Sequence, residues 1–253
     1  MTRVIKIGGR AQGSEALPRE IAAAWARERG ALCIVHGGGD EISALQRALG
    51  EEPRFAGGRR ITSERDVEIV RMALSGTANK RLVARLISAG VPALGLSGED
   101  GALVTAAPVS PALGRVGAPE RVNAALLRHL LDGGYLPVVS PLARDGATAD
   151  AAALNVNGDD AAAAIAVALG ADELLLVADV PGVLVDGAAV PTLDADDAAA
   201  AIARGVASGG MAAKLQAGLA ALRQGVERVR IGDLDAILDP TRGTVLAASR
   251  SLV

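Results

Sequence analysis

Lysine is scarce in this chain: lysine plus arginine total 26, the lysines are Lys6, Lys80 and Lys214, and 26 − 3 = 23 cations are arginines. A chain that writes nearly every positive charge as arginine keeps lysine where a compact ammonium is needed and a planar guanidinium does not fit. Lys6 sits inside a short apolar run that ends in Gly8-Gly9. Glycines there let backbone N–H groups approach an anion, although they equally suit a plain strand-to-helix turn. Lys214 follows Ser208-Gly209-Gly210-Met211 and reads as part of the first turn of a helix. An ammonium there opposes the helix dipole, so the position calls for a compensating anion such as a phosphate.

The stretch 155–184 supplies acids and a polar knot. Asn157 caps a helix over 158–169, with Asp159 and Asp160 in its first turn and Gly170 as its stop. The apolar run 174–178 is too short for a helix and reads as a strand covered on both faces. Asp179-Val180-Pro181-Gly182 follows at its carboxyl end, the edge where open parallel sheets bind ligands. Asn155 and Asp159 before the helix, and 179–182 after the strand, mark two candidate site positions.

Gly37-Gly38-Gly39 follows a strand over 32–36, and three consecutive glycines are explained by a ligand that approaches the backbone closely. The dinucleotide fingerprint is excluded because Ile42 stands where its last glycine belongs, and no Walker A sequence is present. His36 reads as a satisfied strand-end residue, since no serine or cysteine nucleophile pattern accompanies it. Gly57-Gly58-Arg59-Arg60 lies in a loop or hairpin over 54–61. Its arginines suit a bidentate grip on a carboxylate, or are simply solvated.

The elements that must position these residues alternate. Strands are expected at 3–7, 32–36, 91–96, 135–140, 174–178 and 228–231, with small strands at 102–109 and 112–116. Helices are expected at 14–29, 40–49, through a long run from 62 to 86, and at 120–131, 158–169 and 194–204, with a last one after 208. A loop is expected over 145–153, a hairpin over 182–190, and the tail ends at 243–247. This alternation implies right-handed crossovers and a largely parallel sheet. With one Phe, one Tyr and one Trp, the core must be aliphatic and alanine-rich.

A net charge of −3 and the lack of aromatics argue against nucleic acid. Cys33 is the one cysteine, which excludes an intrachain disulfide, and no Cys/His metal cluster can be assembled. No signal-peptide core or membrane-length apolar run is found, so a cytoplasmic protein with no membrane partner is expected.

Ten blocks, in order, resemble acetylglutamate kinases of the amino acid kinase superfamily over nearly the whole chain: IKIGG from Ile5, HGGG from His36, GRRIT from Gly58, SGTANK from Ser75, GLSGEDG from Gly95, LGRVG from Leu113, GYLPVVSP from Gly134, NVNGDDAAAAIA from Asn155, ADVPGVL from Ala178 and SGGMAAK from Ser208. The resemblance implies a three-layer α/β/α sandwich, with an amino-acid-binding lobe at 1–170 and a nucleotide-binding lobe at 171–253. It implies transfer of the γ-phosphoryl group of ATP to the side-chain carboxylate of N-acetyl-L-glutamate, a small-molecule substrate of arginine biosynthesis. Mg²⁺ would ride on the nucleotide. Lys6 and Lys214 match the lysines that neutralise the moving phosphoryl group, and Asp159 the acid that orients them. Gly38, Gly39, Arg60 and Asn155 match acetylglutamate-binding positions. Gly8, Gly9, Asp179, Val180, Pro181, Gly182, Val183, Leu184, Val206, Ala207 and Ser208 match nucleotide-binding ones.

Arg10 and Arg59 depart from that pattern, standing where a small or amide residue and an aliphatic one are usual. They keep open a kinase acting on aminoadipate or glutamate linked to an acidic carrier protein. A non-catalytic nucleotide- or amino-acid-binding module is the third reading. Because the chain begins directly at its first strand, without the extra N-terminal helix of arginine-inhibited hexamers, an arginine-insensitive homodimer is expected.

Overall fold

Val4 packs into one apolar core and Ile5 and Ile7 into another, because successive side chains of a strand point to opposite faces. That strand, Arg3–Ile7, is buried throughout and lies near the middle of an eight-stranded sheet. The computed structural model describes residues 1–148 and 152–248. Across the sheet the strands run Thr192–Asp194, Thr244–Ala247, Arg228–Gly232, Glu173–Val177, Arg3–Ile7, Leu32–His36, Leu136–Ser140 and Ala93–Ser97. Only the pair Arg228–Gly232 and Thr244–Ala247 is antiparallel. The Val4 side packs against helices Gly158–Leu169 and Gly209–Arg223, and the Ile5 side against Leu17–Arg27 and Asn79–Ser88. Helices therefore cover both faces of a mostly parallel sheet, the expected α/β/α sandwich.

A second structure caps the sheet. Strands Ala153–Val156, Val116–Val122, Val104–Pro108 and Leu142–Asp145 close into a small barrel. Much of it differs from the sequence reading. Residues 116–122 pair with Val104–Pro108, so the strand expected at 112–116 begins where it was to end. The helix expected from 120 starts instead at Ala124, capped by the Asn123 side chain. The loop expected over 145–153 is flanked by barrel strands Leu142–Asp145 and Ala153–Val156, and residues 149–151 lie outside the described residues. Val104–Pro108 lies within the strand expected at 102–109, whereas Leu142–Asp145 and Ala153–Val156 are four residues each, too short for an alternating period to show.

The long run after Thr62 begins at Glu64 behind a Ser63–Asp66 capping box. It contains an unexpected π-helical stretch, Arg71–Ala78, before Asn79–Ser88. A one-turn helix, Gly9–Gly13, precedes the expected one, which occupies Leu17–Arg27. Among the described residues no helix is long and apolar enough to cross a membrane.

Candidate active site

The alternation that buries Val4 sends Lys6 to the same face, toward helices Gly158–Leu169 and Gly209–Arg223. There Lys6 Nζ meets Asp159 Oδ1 at 2.9 Å. Lys214 Nζ reaches the same carboxylate at 3.2 Å to Oδ1 and 3.4 Å to Oδ2. All three side chains are buried. Asp159 is placed because Asn157 caps its helix, accepting from the Asp159 and Asp160 N–H groups. Burial alone would raise the Asp159 carboxyl, but the Lys6 and Lys214 ammoniums outweigh it and hold the group below the usual carboxylate range. Burial and the Lys6 charge push Lys214 down to about 8 against the pull of Asp159. Lys214 occupies the second turn of Gly209–Arg223, not the first, and its compensating anion in the protein is Asp159.

Lys6 and Asp159 line a cavity of about 210 Å³ together with Gly37, Gly38, Gly39, Arg59, Arg60 and Asn155. Arg60 is a further charged residue of the cavity wall. Its guanidinium donates to Gly39 O and Ser43 Oγ, each at 2.8 Å, and to Gln46 Oε1, while the Phe55 ring stacks 4.7 Å from its carbon. Gln46 is itself held by Asp66 at 2.6 Å. The direct partners of this largely buried cation are neutral acceptors, and the charge of Asp66 reaches it through Gln46. Such a charge attracts an incoming carboxylate. Asn155 donates to Thr62 Oγ1 at 3.0 Å, and Thr62 in turn donates to Arg60 O, which ties the two expected substrate residues together.

Two glycines owe their identity to close packing here. A Cβ on Gly38 would lie 2.5 Å from a Leu74 methyl, and one on Gly158 would lie 3.2 Å from Lys6 Cε. His36 is fully buried, donates from Nδ1 to Gly37 O and accepts at Nε2 from Asn79 Nδ2, and is pushed down to about 4 chiefly by burial. It is a neutral packing residue, as the sequence suggests. Lys80 donates to Gly95 O and Asn79 Oδ1, each at 3.1 Å, at the end strand Ala93–Ser97 of the sheet.

The residues expected around the nucleotide fall into separate places. Gly8 caps the one-turn helix that begins at Gly9, and a Cβ on it would sit 3.3 Å from Val177 O at the sheet edge. Arg10 pairs there with Asp179 at 3.3 Å. Val180 and Pro181 continue that edge. Val183 is fixed to Thr244, whose hydroxyl accepts from Val183 N at 2.8 Å and leaves no room for a Cβ on Gly182, and Leu184 opens the hairpin Leu184–Val185 and Ala188–Ala189. Ala207 and Ser208 line a second cavity of about 310 Å³ with Gly58, Arg59 and Asn157, while Val206 projects into solvent. Among the described residues no hydrogen bond joins 179–184 to 206–208.

The amino acid kinase family model matches residues 1–233. The chain belongs to the amino acid kinase family. It is 44% identical over 252 residues to a protein named acetylglutamate kinase from Roseiflexus castenholzii, covering 98% of this chain and 94% of that one. A protein of the same name from Chloroflexus aurantiacus is 45% identical over 239 residues, with 93% of each covered. Among solved structures, one from Streptococcus mutans UA159 superposes with a TM-score of 0.87 at 31% identity, covering 98% and 99% of the two chains. The N-acetylglutamate synthase of Neisseria gonorrhoeae, solved with coenzyme A and N-acetyl-glutamate, gives a TM-score of 0.81 at 25% identity over 98% of this chain and 59% of that one.

Within this amino acid kinase fold, sequence reasoning missed Ser43, Gln46 and Asp66, which fix Arg60. Gln46 carries a signal in retrospect: it is a fully buried amide on an otherwise amphipathic helix, Gly39–Ala48. Arg59 and Arg10, the two departures, are both paired, with Asp160 at 2.8 Å and Asp179 at 3.3 Å.

Proposed function

We propose that this chain transfers the γ-phosphoryl group of ATP to the side-chain carboxylate of N-acetyl-L-glutamate, giving an acyl phosphate and ADP in arginine biosynthesis. The observation that carries the reading is one buried carboxylate, Asp159, holding two ammoniums, Lys6 and Lys214, beside a cavity that Arg60 also lines. The relatives named acetylglutamate kinase support the choice of acceptor.

The chemistry follows from the charges. A carboxylate is already ionised at neutral pH, so its oxygen attacks the γ-phosphorus without a general base, and the bond to the β,γ-bridging oxygen breaks as ADP leaves. Catalysis then reduces to alignment and stabilisation of charge on the phosphoryl oxygens. Lys6 and Lys214 supply that stabilisation, while Asp159 holds both ammoniums in place before substrate arrives. Arg60 and Asn155 hold the acceptor's other polar groups, and the Gly38–Gly39 backbone lets it approach. We assign the 179–184 segment and residues 206–208 to the nucleotide side, with 1–170 as the substrate lobe and 171–253 as the nucleotide lobe.

Mg²⁺ fits as a passenger of the nucleotide. Both Asp159 oxygens are taken by lysines, and among the described residues no group of three or more His, Cys, Asp or Glu is placed to hold a metal. Bound to the phosphates, the ion would neutralise part of their charge.

The carrier-protein reading draws on Arg10 and Arg59 for a polyanionic partner, yet Arg59 is paired with Asp160 beside the substrate cavity and the exposed Arg10 stands against Asp179. The intact lysine–aspartate cluster argues against a non-catalytic module. We propose a homodimer, supported by Met72 and Ile87, which stand 49% and 56% exposed on the helical run 64–88; a hexamer mass by light scattering would overturn it. The deciding experiment is ATP-dependent acyl phosphate formation trapped with hydroxylamine, using N-acetyl-L-glutamate and unacylated glutamate side by side. Turnover of the acetylated substrate alone is expected. Turnover of neither would sink the proposal.

A further inference from the structure

The hairpin Phe55–Ala56 and Arg59–Arg60 is fastened to two of the helices that border the substrate cavity, Gly39–Ala48 and Gly158–Leu169, by two consecutive arginines. Arg60 anchors it to helix Gly39–Ala48 through three neutral acceptors. Arg59 anchors it to the other side through a single contact, Nη2 to Asp160 Oδ2 at 2.8 Å. The two fastenings differ in kind. Arg59 keeps Nη1 buried without an acceptor, and its side chain and that of Asp160 remain 32% and 23% exposed. A single-point, half-buried pair sets a position without locking it as Arg60 does. Asp160 is also the neighbour of Asp159 in the first turn of Gly158–Leu169, so this one contact ties the hairpin to the turn that organises Lys6 and Lys214. Arg59 further lines both the substrate cavity and the second cavity beside Ala207 and Ser208.

We propose that Arg59 is a positioning residue: through Asp160 it fixes the 55–60 hairpin, and with it Arg60 and the acceptor substrate, at a set distance from the two lysines. This rests on the phosphoryl-transfer reading above for its kinetic part and not for its structural part. Misplacing an acceptor by a fraction of an ångström weakens its alignment with the phosphoryl group, whereas Arg59 only borders the second cavity and, among the described residues, makes no hydrogen bond to 206–208, so the acceptor is the substrate that moves with the hairpin.

The test uses the full chain with Arg59→Leu, Arg59→Lys, Asp160→Asn and the exchange R59D/D160R. Arg59→Leu is expected to raise KM for N-acetyl-L-glutamate about tenfold with KM for ATP unchanged. Arg59→Lys recovers part of that loss, and the exchange variant recovers most of it. In ligand-free protein, amide hydrogen exchange over 55–60 is expected to speed up in Arg59→Leu and Asp160→Asn while the rest of the chain keeps its protection. An unchanged acceptor KM in Arg59→Leu overturns the proposal, as does an equal rise in both KM values. Unchanged exchange in the hairpin overturns it too, and that readout needs no turnover. If wild-type protein turns over neither glutamate substrate, the phosphoryl-transfer reading fails by itself while the exchange contrast still decides the role of Arg59.

Discussion

Lys6 Nζ lies 2.9 Å from Asp159 Oδ1, joining the central strand of the sheet to the first turn of the helix that caps it. Lys214 completes the cluster from a third element. The arrangement concentrates two positive charges on one carboxylate, a state that is sustained inside a protein only by that carboxylate.

Removing the carboxylate therefore does two kinds of damage. Asp159→Asn leaves two buried ammoniums without their anion, and breaking such a group costs about 3–5 kcal/mol. A clear fall in melting temperature is expected, together with a loss of turnover of about 100-fold or more. Lys6→Ala is expected to lose turnover similarly, with the acceptor KM little changed. Thermal melts and hydroxylamine trapping read the two effects separately; full activity in either variant would refute the assignment.

The alkaline limb of the activity profile is expected to follow Lys214. Its ammonium is held down to about 8, so turnover falls as pH rises through that value and one cation leaves the phosphoryl site. Stability moves the other way. An unfolded lysine keeps its proton to about 10.4, so between roughly 8 and that value the unfolded state binds more protons and the folded state gains as pH rises. Lys214→Arg stays charged, so its alkaline limb is expected above that of wild type in a kcat profile; coincident limbs would assign the titration elsewhere.

Arg60 is expected to govern acceptor binding. Arg60→Ala removes the cation that neutral partners hold beside the cavity, and the acceptor KM is expected to rise about 100-fold or more. Gln46→Ala frees the guanidinium on one side and should raise the same constant by a smaller factor. Binding measured by calorimetry checks both, and a wild-type affinity in Arg60→Ala would remove it from the site.

A methyl group can probe how tightly Lys6 is placed. In Gly158→Ala the new Cβ would stand 3.2 Å from Lys6 Cε, whose ammonium is pinned to Asp159 and has little room to yield. Turnover is expected to fall about tenfold while the melting temperature stays within a few degrees, since alanine is otherwise favoured in a helix. An unchanged kcat would mean that Lys6 tolerates displacement.

Local chemistry made much of this protein legible from its residues alone. Strands Arg3–Ile7 and Leu32–His36 and helix Gly158–Leu169, with its cap at Asn157 and its left-handed stop at Gly170, lie where apolar period, capping and glycine signals put them. Lysine scarcity singled out Lys6 and Lys214. What tertiary structure decided was partnership. The ion Lys214 needed is a carboxylate 55 residues away, the arginines 59 and 60 diverge to two different helices, and the barrel strands exist only because they pair with one another. Periodicity and capping act within a few residues of chain. Which buried charges meet is fixed by the packing of layers that are distant in sequence, and no local signal carries that information.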